Sequence, residues 1–529
     1  MRHLGALIVA AVALLVVWPG PLSEGALGHA TGDMPDHLWG SWWFASMLAE
    51  GSLPLRTSIT HLPQGGALWH PDPLGALVAT PLQLLGPHRA WNLLLTLQVL
   101  AGGLAAYAMG RDLSGDAVGG VTAGIVVAAS PYVLGLLHSG LSEYVGLVFP
   151  VLFTWTLVRS FQERSPAWLP GLFLGLCAWQ ALYYGVFGAL LALCFVTRER
   201  LPSLARTLAV GALIGAPAAG LAWWSLHAPD PAFTPDMAPG WDMHRLPAVD
   251  LMSWLRPGDW WHPDTPALGN PGILHVNYIG WAVVALAVVG LLRRPGMRRD
   301  LRGAAWFGVL ALGPALSWNR MPIRLGTLPL LLPFALLYAT PADFIHHPYR
   351  IAAFVMPLLA LFAALGVSAL PRIAGLAAPA VVLIEFLFLS PGPWPVAVTP
   401  MPAAIELEGP RLDWPPDASA ANRAYLLAQT GHGQPIPYGI NVFLGASIAE
   451  APAVQDALEV LDVEARSANR DVPGRFQLPA AGEGLDQQGI AWVVVHPEFL
   501  SADEAEATRA VFTRHYGPPT SEGVWRTSR

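Results

Sequence analysis

Eleven apolar stretches, each near the length needed to cross a bilayer, dominate this chain. They lie near 3–19, 90–110, 117–137, 144–159, 167–183, 185–197, 207–226, 275–292, 303–318, 350–370 and 373–390. A spanning helix needs about 20 mostly apolar residues, and in lipid the backbone must satisfy its own hydrogen bonds. The pattern therefore predicts an α-helical polytopic membrane protein with about 11 spans. Charged residues make up only 12% of the chain, against roughly 25% in soluble domains, which fits.

The arginines orient the spans. All 29 basic residues are arginine. With the N-terminus inside, Arg159, Arg164, Arg198, Arg200, Arg293, Arg294, Arg298, Arg299 and Arg302 fall in short cytoplasmic loops, the expected positive-inside bias. Merging the two short stretches around Tyr183-Tyr184-Gly185 would turn the Arg293–Arg302 loop outward, so they are read as separate spans. Leu4 to Trp18 reads as an uncleaved first span, because no small-x-small cleavage site follows at once. The chain is then expected in a bacterial cytoplasmic membrane, with large outer loops at 20–89, 227–274 and 319–349. Within the last, Leu325 to Ala339 reads as a re-entrant or interfacial helix. Net charge is −7 without a basic run, so nucleic acid has no support as a partner. Cys177 and Cys194 sit in apolar stretches, which excludes a disulfide framework.

After residue 390 the character changes. Pro391-Gly392-Pro393-Trp394-Pro395 reads as a linker between a membrane part, 1–390, and a small outer α/β domain, 391–529. Helical spacing marks 421–430 and 454–468. Ile490–His496 reads as a buried strand, Ser501 caps a helix over 502–515, and 524–527 reads as a last strand.

Polar residues gather on the outer side. Asp33, Asp36 and His37 follow the first span closely. Residues 34–50 read as an amphipathic helix lying on the membrane, with Trp39, Trp42, Trp43, Phe44 and Met47 on its apolar face. Asp33 is then either a helix cap, with Asp36 a dipole partner, or a catalytic acid, and the two roles are compatible. His70 and Asp72 lie in a Pro-Gly-rich loop, either structural or lining a site. Two such ligands are too few to name a metal, and a divalent ion stays possible. His138 and Glu143 join two spans, where polar groups are costly unless they face water or a cavity. Tyr183 and Tyr184 are either belt residues or site residues. His346, His347 and Arg350 precede a span; the Arg350 fork suits either a lipid headgroup or a phosphate.

These features resemble the GT-C superfamily of polytopic glycosyltransferases, and within it a bacterial branch near the mannosyltransferase and YfhO-like groups. The resemblance rests on Gly32-Asp33 with Trp39 downstream, Pro63-Gln64-Gly65 before His70-Pro71-Asp72-Pro73, Ser130-Pro131-Tyr132, His347-Pro348-Tyr349-Arg350, Gln429 to Ile436, and Trp492 to His496. It implies hexosyl transfer from a polyprenyl-phosphate sugar to a glycan, lipid or protein acceptor. In that scheme Asp33 or Asp36 is the general base and Arg350 faces the leaving phosphate. Many such enzymes have adjacent Asp-Glu in the first loop; here the acids are three apart. A flippase for a lipid-linked molecule and a non-catalytic scaffold are the other classes. A flippase would be expected to carry charges within its spans; Glu385 is the only clear mid-span acid and the polar residues gather on one side, which favours the enzyme.

Overall fold

The computed structural model describes residues 2–230, 232, 250–256, 274, 276–293, 298–318, 321–339, 347–389, 394–403, 405–416, 421–439, 444, 446–461 and 482–528. His346, most of loop 227–274 and residues 391–393 lie outside the described residues. Every apolar stretch named above contains a helix. In chain order these and the remaining helices are α1 (Arg2–Val16), α2 (Met34–Ala49), α3 (Pro73–Ala79), α4 (Pro87–Ser114), α5 (Ala117–Ala128), α6 (Pro131–Ser139), α7 (Ser142–Val145), α8 (Val148–Phe161), α9 (Trp168–Gln180), α10 (Leu182–Cys194), α11 (Leu201–Leu226), α12 (Trp281–Arg293), α13 (Arg298–Ala311), α14 (Ala352–Val367), α15 (Arg372–Phe388), α16 (Ala421–His432), α17 (Ala446–Ala449), α18 (Pro452–Glu459) and α19 (Ala502–Tyr516).

Among the described residues, five segments are long and apolar enough to cross a membrane: Pro87–Ser114, Ala117–Ser139, Ser142–Phe161, Leu201–Leu226 and Pro348–Val367. Helices α1, α10 and α12 are apolar but shorter. The third stretch is broken where Ser130 caps α6, its Oγ accepting from Val133 N at 3.3 Å, with Pro131 in the first turn. The fifth and sixth stretches are separate helices, parted at Ala181, whose backbone is extended. Helices α5 and α14 form the buried centre, packed by α4 and α12. Apolar side chains on the periphery, such as Leu213, Leu292 and Ile373, face outward, as a lipid-covered surface requires.

The expected helix over 325–339 is corrected. Two short hairpins form instead, β4 (Ser317–Trp318) with β5 (Met321–Pro322) and β6 (Arg324–Leu325) with β7 (Leu328–Pro329), and a 3-10 turn follows at Pro333–Ala339. Gly326, at φ 67, makes the second turn possible, and Pro329 and Pro333 oppose a continuous helix.

Beyond the bundle, β9 (Arg411–Trp414) pairs in parallel with β10 (Trp492–Val495), which pairs antiparallel with β11 (Val524–Arg526). Helices α16, α18 and α19 accompany this sheet. Ser501 and Glu504 form a reciprocal capping box on α19. The helix expected over 454–468 is observed over Pro452–Glu459, and residues 462–468 lie outside the described residues. The core of this layer contains Leu412, Trp414, Val493, Phe512 and Trp525, and also Trp39, Trp43 and Phe44 of α2. That corrects the reading of α2 as a helix lying on the membrane: its aromatic face is covered by protein. Trp39 Nε1 donates to Gln429 Oε1 of α16 at 2.7 Å. An antiparallel pair, β1 (Gly25–Leu27) with β8 (Val398–Pro400), ties the first loop to the start of the C-terminal segment, and β2 (Arg56–Thr57) pairs antiparallel with β3 (Gly66–Ala67) within that loop. Asn92 and Trp91 of α4 pin the same loop through hydrogen bonds of 2.8 Å to Leu27, Gly20 and Gly25.

Candidate active site

The loop before α2 is fastened to the end of α6: His29 N donates to His138 O and Asp33 N to Ser139 O, both at 2.8 Å. Gly140 closes α6 at φ 73, against the backbone of Met34. Asp33 occupies the N-cap position of α2 without a side-chain capping hydrogen bond. Oδ1 of Asp33 accepts from Arg423 Nη2 of α16 at 2.7 Å, and Arg423 Nε stands 3.6 Å from Asp36 Oδ2. Arg423 also donates to the Thr31 carbonyl. The side chains of Arg423 and Asp36 are 3% and 9% exposed, whereas that of Asp33 is 26% exposed.

One turn along α2, buried His37 places Nδ1 3.2 Å from Glu143 Oε2 on α7 and 3.5 Å from Ser142 Oγ. The His37 and His70 rings lie 6.4 Å apart. Gly40 makes room for the second ring, since a Cβ there would meet His70 Nδ1 at 2.4 Å. Burial, and then the neighbouring His37, push His70 down to about 3. Burial also lowers His37, against the pull of Asp33, Asp36 and Asp72. Asp72 caps α3 through Gly75 N at 2.8 Å and accepts from Gln98 Nε2 at 3.2 Å. Burial pushes Asp72 up to about 6, opposed by the bond from Gly75. Two of the buried histidines therefore stay neutral at pH 7.

Arg350 completes the cluster. Its guanidinium stacks 4.0 Å over the Tyr144 ring and 5.1 Å from that of Tyr183, and Nη1 donates to Tyr144 Oη at 2.6 Å. Tyr184 donates to the Tyr144 carbonyl at 2.5 Å. Tyr183 and Tyr184 are buried at the start of α10, so a lipid-facing belt position is corrected. His138 stacks near His29, with ring centroids 5.2 Å apart, behind the loop that carries Asp33. His347 lies beside the Tyr349 ring at 5.9 Å. The structure thus brings Asp33, Asp36, His37, His70, Asp72, Glu143 and Arg350 to one end of the bundle, with Tyr183, Tyr184 and His138 around them.

Sequence reasoning missed Arg423, Gln98, Gln180 and Ser142. Gln180 Nε2 donates to the Glu143 carbonyl at 3.0 Å; nothing in the apolar run around it signals that role. Glu385 caps α12, its carboxylate accepting from Trp281 N at 2.6 Å and Ala282 N at 2.8 Å. Among the described residues, no three His, Cys, Asp or Glu side chains are grouped to hold a metal.

No protein-family profile and no curated protein sequence matches the chain. Solved structures do. The apo oligosaccharyltransferase of Archaeoglobus fulgidus aligns over 97% of this chain and 72% of its own, at 12% identity and TM-score 0.49. ArnT of Cupriavidus metallidurans, bound to undecaprenyl phosphate, aligns over 69% of this chain and 60% of its own, at 16% identity and TM-score 0.39. The mycobacterial arabinofuranosyltransferase AftD aligns over 94% of this chain and 35% of its own, at 16% identity and TM-score 0.46. Likeness at this level assigns neither family nor activity.

Proposed function

We propose that the chain is a membrane glycosyltransferase of GT-C type, moving a sugar from a polyprenyl-phosphate donor to an acceptor on the outer face of a bacterial cytoplasmic membrane. Residues 1–390 would carry eleven crossings from an inside N-terminus, and 391–529 would stand outside. The observation that carries this reading is the meeting of acids and a cation from distant stretches: Asp33, Asp36, Asp72, Glu143 and Arg350 share one buried end of the helical bundle. Polar groups this expensive to bury have a use if charge is to be handled there. The placement of this reading in the mannosyltransferase and YfhO-like branch rests on the sequence resemblance alone.

Asp33 is the proposed base because it is the most open of these acids. It takes the proton from an acceptor hydroxyl as that oxygen attacks the anomeric carbon. The bond from that carbon to the phosphate oxygen breaks, and the lipid phosphate leaves with the electron pair. Arg350, a fixed planar fork held by stacking on tyrosine, suits the charge that develops on the phosphate.

The test is a gene-deletion strain carrying the wild-type chain or Asp33→Asn, with mass-spectrometric profiling of envelope glycans and lipids. A glycan lost in the deletion, restored by wild type and not by Asp33→Asn at equal protein level, is the expected result. Full restoration by the variant sinks the assignment.

A further inference from the structure

We propose that Arg423 takes the place at Asp33 and Asp36 that a divalent cation would otherwise fill, so that the C-terminal layer supplies the site's counter-charge from within the chain. The inference takes Asp33 and Asp36 as the site acids, as in the proposed function, and adds what balances them.

Three observations carry it. The first is occupancy. One guanidinium reaches Asp33 Oδ1 at 2.7 Å, Asp36 Oδ2 at 3.6 Å and the Thr31 carbonyl, so it engages both acids and the loop that joins them to β1. A hard cation bound to those oxygens would sit about 2.0–2.6 Å from them, inside the space that the guanidinium fills. Arginine does not deprotonate in proteins, so the two positive charges would repel at contact range.

The second is anchoring. Arg423 is 3% exposed and stands on α16, which packs along α2. Its neighbours Tyr425 and Leu426 are in the shared core with Trp39 and Trp43. The guanidinium is thereby held in the seam between α16 and α2. The third is the field. Both acids stand at the N-terminus of the 16-residue helix α2, whose positive end favours anionic side chains, so two carboxylates gather there and call for a counter-charge.

Arg423 is thus a positioning residue. It holds Asp33 in place and sets the local charge, without being asked to touch the reacting atoms. It also makes the C-terminal segment part of the site, since the acids and their counter-ion come from opposite ends of the sequence.

The test is a Mn2+ titration of the full-length, detergent-solubilised chain, following free Mn2+ by electron paramagnetic resonance. Wild type and Arg423→Lys should show no saturable site that depends on Asp33. Arg423→Gln should gain one, at least about tenfold tighter than any wild-type binding, and the gain should vanish when Asp33→Asn is added. A wild-type Mn2+ site that Asp33→Asn abolishes would overturn the proposal. So would a folded Arg423→Gln chain that gains nothing. Should Arg423→Gln fail to fold, the wild-type and Asp33→Asn titrations still decide: no Asp33-dependent site supports the proposal, and its presence refutes it. The readout is metal binding, not sugar transfer, so the counter-ion assignment and the transferase reading fail separately.

Discussion

Two buried ionic clusters in this chain are built in opposite ways. In the α/β layer, Asp413 is closed on all sides: Arg411 Nε donates to Oδ2 at 3.1 Å, His496 Nε2 lies 2.8 Å from Oδ1, and the second His496 nitrogen lies 3.3 Å from Glu498. Burial works against charge on His496, yet the Asp413 and Glu498 carboxylates outweigh it and raise its pKa. At the bundle end, burial wins instead and both His37 and His70 are pushed down. Gln98 Oε1 and Gln180 Oε1 are buried there without a hydrogen bond from the described residues, and Glu143 Oε2 faces His37 Nδ1 at 3.2 Å. A closed network specifies a fold, while unspent acceptors in a buried site are the mark of groups kept for another partner. The first cluster is structural by this argument, and the second is the proposed place for chemistry.

The sharpest way to break that contrast is a pair of matched substitutions. Asp33→Asn is expected to cut sugar transfer by about 10²–10⁴-fold. Its stability loss should be the smaller of the two, because Arg423 keeps Asp36 and the Thr31 carbonyl. Asp413→Asn should do the reverse, losing about 3–5 kcal/mol of stability with transfer per folded molecule retained. Thermal unfolding and transfer assays on the same preparations check both, and exchanged outcomes would dissolve the distinction. Next comes Arg350→Lys, expected to lose about 10²–10³-fold in transfer, because lysine keeps the charge but has neither the fork nor the stacking plane. Gly140→Ala should destabilise by about 1–3 kcal/mol, since φ is 73 and the new Cβ would lie 2.6 Å from Met34 N.

The smallest effect expected is in the pH dependence of unfolding, and it has a sign. His70, lowered from 6.5 to about 3, contributes stability that is complete above pH 6.5 and lost as pH falls toward 3. Asp72, raised from 3.8 to about 6, works the other way: its contribution is complete below pH 3.8 and lost as pH rises through 6. His70→Gln should therefore flatten the loss of melting temperature on acidification from pH 6.5 to 4, and Asp72→Asn should steepen it. Parallel curves for both variants and wild type would show that neither group titrates as its burial requires.

Much of the helical plan was legible because apolar length is a local property. The separation of the fifth and sixth helices, read at Tyr183-Tyr184-Gly185 and found at Ala181, the strand at 492–495 and the helix cap at Ser501 were readable from residues within a few positions of each other. The cover on an apolar face was not. Trp39, Trp43 and Phe44 look the same in sequence whether lipid or a second protein layer buries them. The run from Leu325 to Ala339 misled for a related reason, since apolar content outweighed the turn at Gly326 and the prolines at 329 and 333. In the site, the acids and Arg350 stood out because charge is rare beside spans, whereas Gln98, Gln180 and Arg423 carry no local signal at all.

What the sequence alone determined is the alternation of apolar helices with polar loops, and the presence of acids and an arginine in those loops, because hydropathy and charge are written residue by residue. Only the tertiary structure decided that α2 belongs as much to the C-terminal layer as to the bundle, and that Asp33 and Asp36 face Arg423 nearly four hundred residues away. Pairing at that separation depends on how α16 docks against α2, and docking is a property of surfaces that exist only once the chain has folded.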